Sequence, residues 1–126
     1  MIYLTLEQLL ELHALVVDAT GGSITGLRDL GRLESAAAAQ TQNVFDEELY
    51  ADIFDKAAAI IRGIIDDHPF VDGNKRTAML SGLTLLKLNG LNFAFKTGEI
   101  EDIAVEIDTR HIDVPDIAHW LKEHTN

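Results

Sequence analysis

Apolar positions recur along this chain at the spacing of helices. Leu6, Leu9, Leu10, His13, Val16 and Val17 fall on one stripe over residues 5–17, the three- and four-residue recurrence of one helical face. Thr5 stands at its start with Gln8 three residues on, the pair that forms a capping box. Gly21-Gly22 closes the segment, and the stretch to Gly26 is turn-rich. His13 lies inside the stripe, either as a hydrogen-bonded core histidine or as a pocket residue. A second helix is expected over residues 29–40, capped by Asp29 and carrying the helix-favouring run Ala36–Ala39. Residues 41–47 show no clear period.

The middle of the chain is more apolar. Over residues 48–67, Ile53, Phe54, Ala57, Ala58, Ile60, Ile61, Ile64 and Ile65 cover more than one face of a third helix. Over residues 75–89, Ala78, Leu80, Leu83, Leu86 and Leu88 spread as widely around a fourth, which Asn89-Gly90 stops. Helices apolar on most sides belong in the centre of a fold. Leu91, Phe93 and Phe95 alternate with polar or small residues, so 91–96 reads as a short extended segment packed on the helices. A fifth helix starts at Thr97 or Gly98, with Glu99 and Glu101 in its acidic first turn and Ile100, Ile103, Ala104 and Ile107 facing inward. Asp113 caps a sixth, with Pro115 in the first turn and Val114, Ile117, Ala118 and Leu121 as its stripe. His119-Trp120 is expected at the surface. The pattern predicts an all-α fold, a compact bundle of about six helices in a single domain spanning 1–126, with no parallel sheet.

Composition narrows the class. A chain of 126 residues is long enough for one core that buries roughly two-thirds of the unfolded surface. It has no cysteine, which suits a reducing cytoplasm. The start lacks the basic region of a signal peptide, and no apolar run is long enough to span a membrane. A net charge of −11 argues against direct nucleic-acid binding. Residues 60–90 depart from that balance, with Arg62, Lys75, Arg76 and Lys87 against Asp66, Asp67 and Asp72. This near-neutral island in an acidic chain fits a local anion pocket. His111 and His119 fall on different elements, so no paired-histidine metal spacing occurs.

The island contains the stretch His68-Pro69-Phe70-Val71-Asp72-Gly73-Asn74-Lys75-Arg76-Thr77-Ala78, between the two central helices. Asp72-Gly73-Asn74 are turn residues that tolerate left-handed backbone. Helical periodicity resumes at about Lys75, so amides at the positive end of a helix face the turn and form an anion nest. Lys75 and Arg76 add full charges, and Arg can hold two phosphate oxygens at once. Asp72 suits a Mg²⁺ ion bridging to phosphate, and His68 suits a proton acceptor. Phe70 is the apolar anchor of the loop. Taken singly, the residues have plainer readings: His68-Pro69 as a helix stop, Lys75 and Arg76 as solvated charges. No upstream glycine supports a Walker A loop.

The same eleven residues are similar to the signature of the Fic/Doc family, in its Doc (death-on-curing) branch. The general Fic pattern is His-x-Phe-x-Asp/Glu-Gly-Asn-Gly-Arg-x-x-Arg. Lys75 stands where Fic enzymes have Gly, and Met79 where they have the second Arg; both departures resemble the Doc pattern His-x-Phe-x-Asp-Ala-Asn-Lys-Arg, in which Ala stands where this chain has Gly73. The stretch Leu27–Ala36 also resembles the family. The resemblance implies a toxin of a toxin–antitoxin pair, cytoplasmic, that moves phosphate from ATP or another nucleoside triphosphate to a hydroxyl of a protein, elongation factor Tu in Doc toxins. By the same resemblance His68 is the general base, Asp72 the Mg²⁺ residue, Gly73 and Asn74 the nest, and Lys75 and Arg76 the phosphate-binding cations. A flap that holds the target peptide is implied at about residues 40–50, tipped by Asn43, Val44 and Phe45; composition alone reads the same segment as a connecting loop.

AMP transfer, the reaction of ordinary Fic enzymes, is the runner-up, and a non-catalytic helical binding module the third reading. Thr97 and Glu101 have the first spacing of the family's self-inhibitory helix, but Asp102 follows where Gly or Asn is expected. Inhibition is therefore expected in trans, from a Phd-like antitoxin whose disordered tail folds as an amphipathic helix.

Overall fold

The computed structural model describes residues 1–20 and 26–126; the expected turn at Gly21-Gly22 lies outside the described residues. Six α-helices are found among those described: α1 (Leu6–Thr20), α2 (Leu30–Ala38), α3 (Ile53–Asp67), α4 (Asn74–Leu88), α5 (Glu99–Arg110) and α6 (Val114–Glu123). A 3-10 turn, Ala39–Thr41, follows α2. The described strands are β1 (Asn43–Val44) and β2 (Glu47–Glu48), an antiparallel pair. The all-α expectation holds, and no parallel sheet forms among the described residues.

Local chemistry sets the helix starts. The Thr5 hydroxyl accepts from the Gln8 amide at 3.1 Å while Gln8 Oε1 accepts from the Thr5 amide at 2.9 Å, the reciprocal capping box the sequence predicts. Asp29 caps α2 through the Arg32 amide. α3 begins at Ile53, five residues later than the apolar pattern suggests. Asp52 caps it through the Phe54 amide, and Glu47 and Glu48 belong to the hairpin instead. Phe45 and Asp46 form the hairpin turn, both with positive φ, and Phe45 is 97% exposed. Val44 and Asn43 lie in the strand, so the tip is Phe45-Asp46.

α3 is the central element and packs chiefly on α4, then on α6 and α2; α4 also meets α1 and α5. Ile60, Ile61, Ile64 and Ile65 of α3 are fully buried, with Leu85 and Leu86 of α4, Ile107 of α5 and Ile117 of α6. Each such side chain contributes about 1.5–3 kcal/mol relative to exposure. Gly82 lets α3 and α4 approach closely: a Cβ there would stand 2.4 Å from Ile61 Cδ1. Lys56 is buried too; its ammonium donates to the Gln40 carbonyl and to Glu48 Oε1, tying the hairpin base to α3. Leu91, Phe93 and Phe95 are half-buried and alternate with exposed neighbours, joined to the C-terminus at Phe93 and Thr125. His119 is exposed, whereas Trp120 is half-buried and stacks on Phe95.

Candidate active site

α3 ends where His68 turns left-handed, φ 46° and ψ 60°, and Pro69 follows. That conformation is uncommon for a residue other than glycine and costs about 1–3 kcal/mol, so its surroundings must hold it. Arg28 Nε donates to the His68 carbonyl at 2.8 Å. Arg28 Nη2 and Arg32 Nη1 donate to the Asp67 carbonyl at 2.8 and 2.7 Å. Two cations thus satisfy the last carbonyls of α3, at the negative end of its dipole. The amides of Arg28 and Asp29 both donate to the Pro69 carbonyl, and the Val71 amide donates to Gly26. Residues 26–29, just before α2, are thus laced onto the loop.

From beneath, α1 supports the same loop. Phe70 is buried and stacks face to face on His13, ring centroids 3.7 Å apart. His13 Nε2 lies 2.9 Å from the Asp72 carbonyl oxygen, which can only accept, so this nitrogen carries the proton. His13 is therefore a core histidine that touches the candidate site through its backbone. Within the loop, Asn74 Oδ1 accepts from the Phe70 amide at 3.0 Å and Asn74 Nδ2 donates to the Phe70 carbonyl at 2.9 Å. The side chain of Asn74 is thus committed to the loop, leaving its amide to face the turn.

Gly73 starts α4 with φ 78°, a conformation suited to glycine. Its amide donates to Asp72 Oδ1 at 2.8 Å, and its carbonyl accepts from the Thr77 amide at 2.9 Å. The amides of Asn74, Lys75 and Arg76 come before the first intrahelical donor, the Thr77 amide, and form the positive end of α4.

All six residues singled out in the sequence line one cavity of about 580 Å³: His68, Asp72, Gly73, Asn74, Lys75 and Arg76. Val16, Val17 and Val71 complete its wall. Among the described residues, the His68 ring has no hydrogen-bond partner and Arg76 no ion-pair partner; Lys75 Nζ lies 3.4 Å from Asp108 Oδ2 of α5. An apolar groove of about 560 Å³ between α4 and α5 adjoins the cavity, sharing Lys75 and Arg76. Met79 is buried and lines this groove, not the cavity. The sequence marks His13 as a hydrogen-bonded core histidine or pocket residue without naming its contact to the Asp72 carbonyl, and it does not name the support from Arg28, Arg32 and Asp108. The only local signal was the pair of arginines four residues apart at the start of α2, facing an unknown helix end.

Chemically, the cavity offers helix amides and two cations to an oxyanion, a carboxylate beside them, and an imidazole free to take a proton. Fold and cavity together define a predominantly helical protein built around a polar, cation-bearing connection between two buried helices. Comparison with known proteins agrees: the model of the Fic/DOC family matches residues 3–86. The chain is similar to the Toxin Doc of Mycolicibacterium smegmatis, 38% identical over 105 residues, 82% of this chain and 80% of that protein. It is also similar to the Protein kinase doc of Escherichia phage P1, 34% identical over 116 residues, 92% of this chain and 90% of that one. The chain belongs to the Fic/Doc family.

Proposed function

We propose that this protein is a Doc-type toxin that transfers the γ-phosphate of a nucleoside triphosphate, ATP in the simplest case, to a hydroxyl of a protein target. The observation that carries the reading is the single cavity lined by His68, Asp72, Lys75, Arg76 and the start of α4. The amides of Asn74, Lys75 and Arg76 and the two cationic side chains hold the phosphates. His68 accepts the proton of the target hydroxyl as its oxygen bonds to the γ-phosphorus. The bond from that phosphorus to the β–γ bridging oxygen breaks, and the nucleoside diphosphate leaves. Lys75 and Arg76 offset the charge that develops on the transferring group.

No group of three His, Cys, Asp or Glu residues that could enclose a metal occurs among the described residues. Asp72, the one carboxylate among the described residues lining the cavity, would be the residue to hold Mg²⁺ beside a bound phosphate. Bound there, Mg²⁺ would neutralise phosphate charge.

The departures from the Fic pattern favour phosphate over AMP as the transferred group. Lys75 fills space that glycine would leave for a phosphate, and Met79 withdraws the second arginine. Elongation factor Tu is the proposed target, the β1–β2 hairpin the flap that holds its peptide, the cytoplasm the site of action, and a Phd-like antitoxin the inhibitor. No described helix is long and apolar enough to cross a membrane.

Mass spectrometry of elongation factor Tu incubated with the protein and MgATP is the test. A gain of one phosphate supports the reading; a gain of AMP replaces it with Fic-type transfer. No modification, no nucleotide binding and no growth arrest on expression would leave a helical binding module. His68→Ala should lose activity by roughly 10²–10⁴-fold while its circular dichroism stays that of the wild type; a fully active His68→Ala protein rules out the assigned base.

A further inference from the structure

Lys75 does not stand as a free cation. Its ammonium pairs with Asp108 at 3.4 Å, with the two side chains 43% and 31% exposed. Asp108 lies in the last turn of α5. A carboxylate there opposes the helix dipole, and aspartate is a poor helix former. Its presence gives nothing to α5 itself. Glu101, Val105 and Asp108 follow at helical spacing, and Glu101 and Val105 line the groove between α5 and α4, so Asp108 extends that face to the start of α4. The family match ends at residue 86, so this acid lies outside it.

We propose that Asp108 is a positioning residue for the transfer: its carboxylate fixes where the Lys75 ammonium stands at the mouth of the cavity. The inference rests on the phosphotransfer reading above. A lysine has a flexible four-carbon stem, and a counter-ion on a separate helix restricts it before substrate arrives. Protein kinases depend on the same device, a phosphate-contacting lysine held by a glutamate of a neighbouring helix. The carboxylate also repels the incoming triphosphate. Its loss should therefore leave nucleotide binding intact or tighter while turnover falls, a split that general destabilisation does not produce.

The test uses the full chain. MgATP affinity is measured by calorimetry, and transfer is followed in parallel with γ-³²P-ATP and α-³²P-ATP to elongation factor Tu. Asp108→Asn should bind MgATP as well as wild type or up to roughly tenfold tighter. Its kcat should fall about tenfold or more because the cation is no longer oriented. Asp108→Glu should recover part of the loss. In a Lys75→Met background, Asp108→Asn should cause no further fall. Wild-type turnover in Asp108→Asn, or an equal fall with and without Lys75, overturns the assignment while the phosphotransfer reading stands. Transfer of the α label instead sinks the proposed reaction, and the same comparison of variants still decides Asp108. A wild-type protein that neither binds MgATP nor transfers either label overturns both.

Discussion

Replacing Asn74 with alanine would separate the scaffold of the loop from its chemistry. The Asn74 side chain makes two hydrogen bonds to the backbone of Phe70, at 3.0 and 2.9 Å. Phe70 is only 1% exposed, so its amide and carbonyl have little access to water unless the loop opens. A lost neutral hydrogen bond costs about 0.5–1.5 kcal/mol, and a buried partner left unsatisfied about 1–3 kcal/mol. Asn74 is itself half-buried, and alanine is the better helix former by a few tenths of a kcal/mol. The expected net loss is about 2–4 kcal/mol, a large share of the roughly 5–15 kcal/mol that holds a typical domain together. Asn74→Asp keeps an acceptor for the Phe70 amide and places a carboxylate in the first turn of α4, where the dipole favours it. It loses the donor to the Phe70 carbonyl, so it should cost about half as much as alanine. Urea unfolding followed by circular dichroism gives both losses, and amide exchange at Phe70 locates them. A loss below about 0.5 kcal/mol for Asn74→Ala, or a Phe70 amide as protected as in the wild type, would refute the assignment of this side chain to loop support.

Two further outcomes follow from packing and charge. Gly82→Ala gains up to about 1 kcal/mol of helix propensity but drives a methyl against Ile61 and should lose about 1–3 kcal/mol to overpacking; adding Ile61→Val should restore part of the thermal midpoint, and a stabilised Gly82→Ala protein would show that α3 and α4 separate freely. The imidazole of His124 lies between two acceptors, the Trp120 carbonyl at 2.7 Å and Glu99 at 2.8 Å. The carbonyl first and the carboxylate second raise its pKa above the ordinary 6.5. The Lys96 amide first and His124 second lower Glu99 below its ordinary 4.5. The stabilisation from His124 is complete below 6.5 and fades as pH rises through its raised value. That from Glu99 is complete above 4.5 and fades as pH falls through its lowered value. Stability from the pair should therefore be greatest between about 4.5 and 6.5, and His124→Gln should flatten the urea midpoint against pH on the alkaline side; an unchanged profile would remove the pair as its cause.

What could be read from the sequence was local. The capping box at Thr5 and Gln8, the Asp29 cap and the wide apolar faces of α3 and α4 are decided by residues within a few positions of each other, and they appear where expected. The apolar pattern starts α3 at 48 rather than 53 because Glu48 carries no period to oppose a helix, while the hairpin that claims it depends on Lys56, eight residues further on. A buried lysine inside an alanine-rich helix has no signature in a hydropathy pattern. The same limit applies at the candidate site. Six of its nine described lining residues, those named from the sequence, fall within positions 68–76 and could be gathered by spacing alone. The residues that hold them come from positions 13, 26–32 and 108.

This division has a physical origin. A connection of six residues, 68–73, must reverse the chain between two buried helices and set the start of α4, with the amides of Asn74, Lys75 and Arg76, against the cavity. Its own amides are spent at short range or on the residues before α2: His68 donates to Ile64, Phe70 to Asn74, Val71 to Gly26 and Gly73 to Asp72. Carbonyls along it, and that of Asp67 before it, are held from other segments: His68 accepts from Arg28, Asp67 from Arg28 and Arg32, Pro69 from two amides, and Asp72 from His13. Donors for those carbonyls come from other segments, because most of the loop's own N–H groups are already used or, at Pro69, absent. A loop of this kind carries its candidate chemistry in a contiguous motif and much of its mechanical support elsewhere in the chain, which is why the motif alone could announce the site without revealing what keeps it in shape.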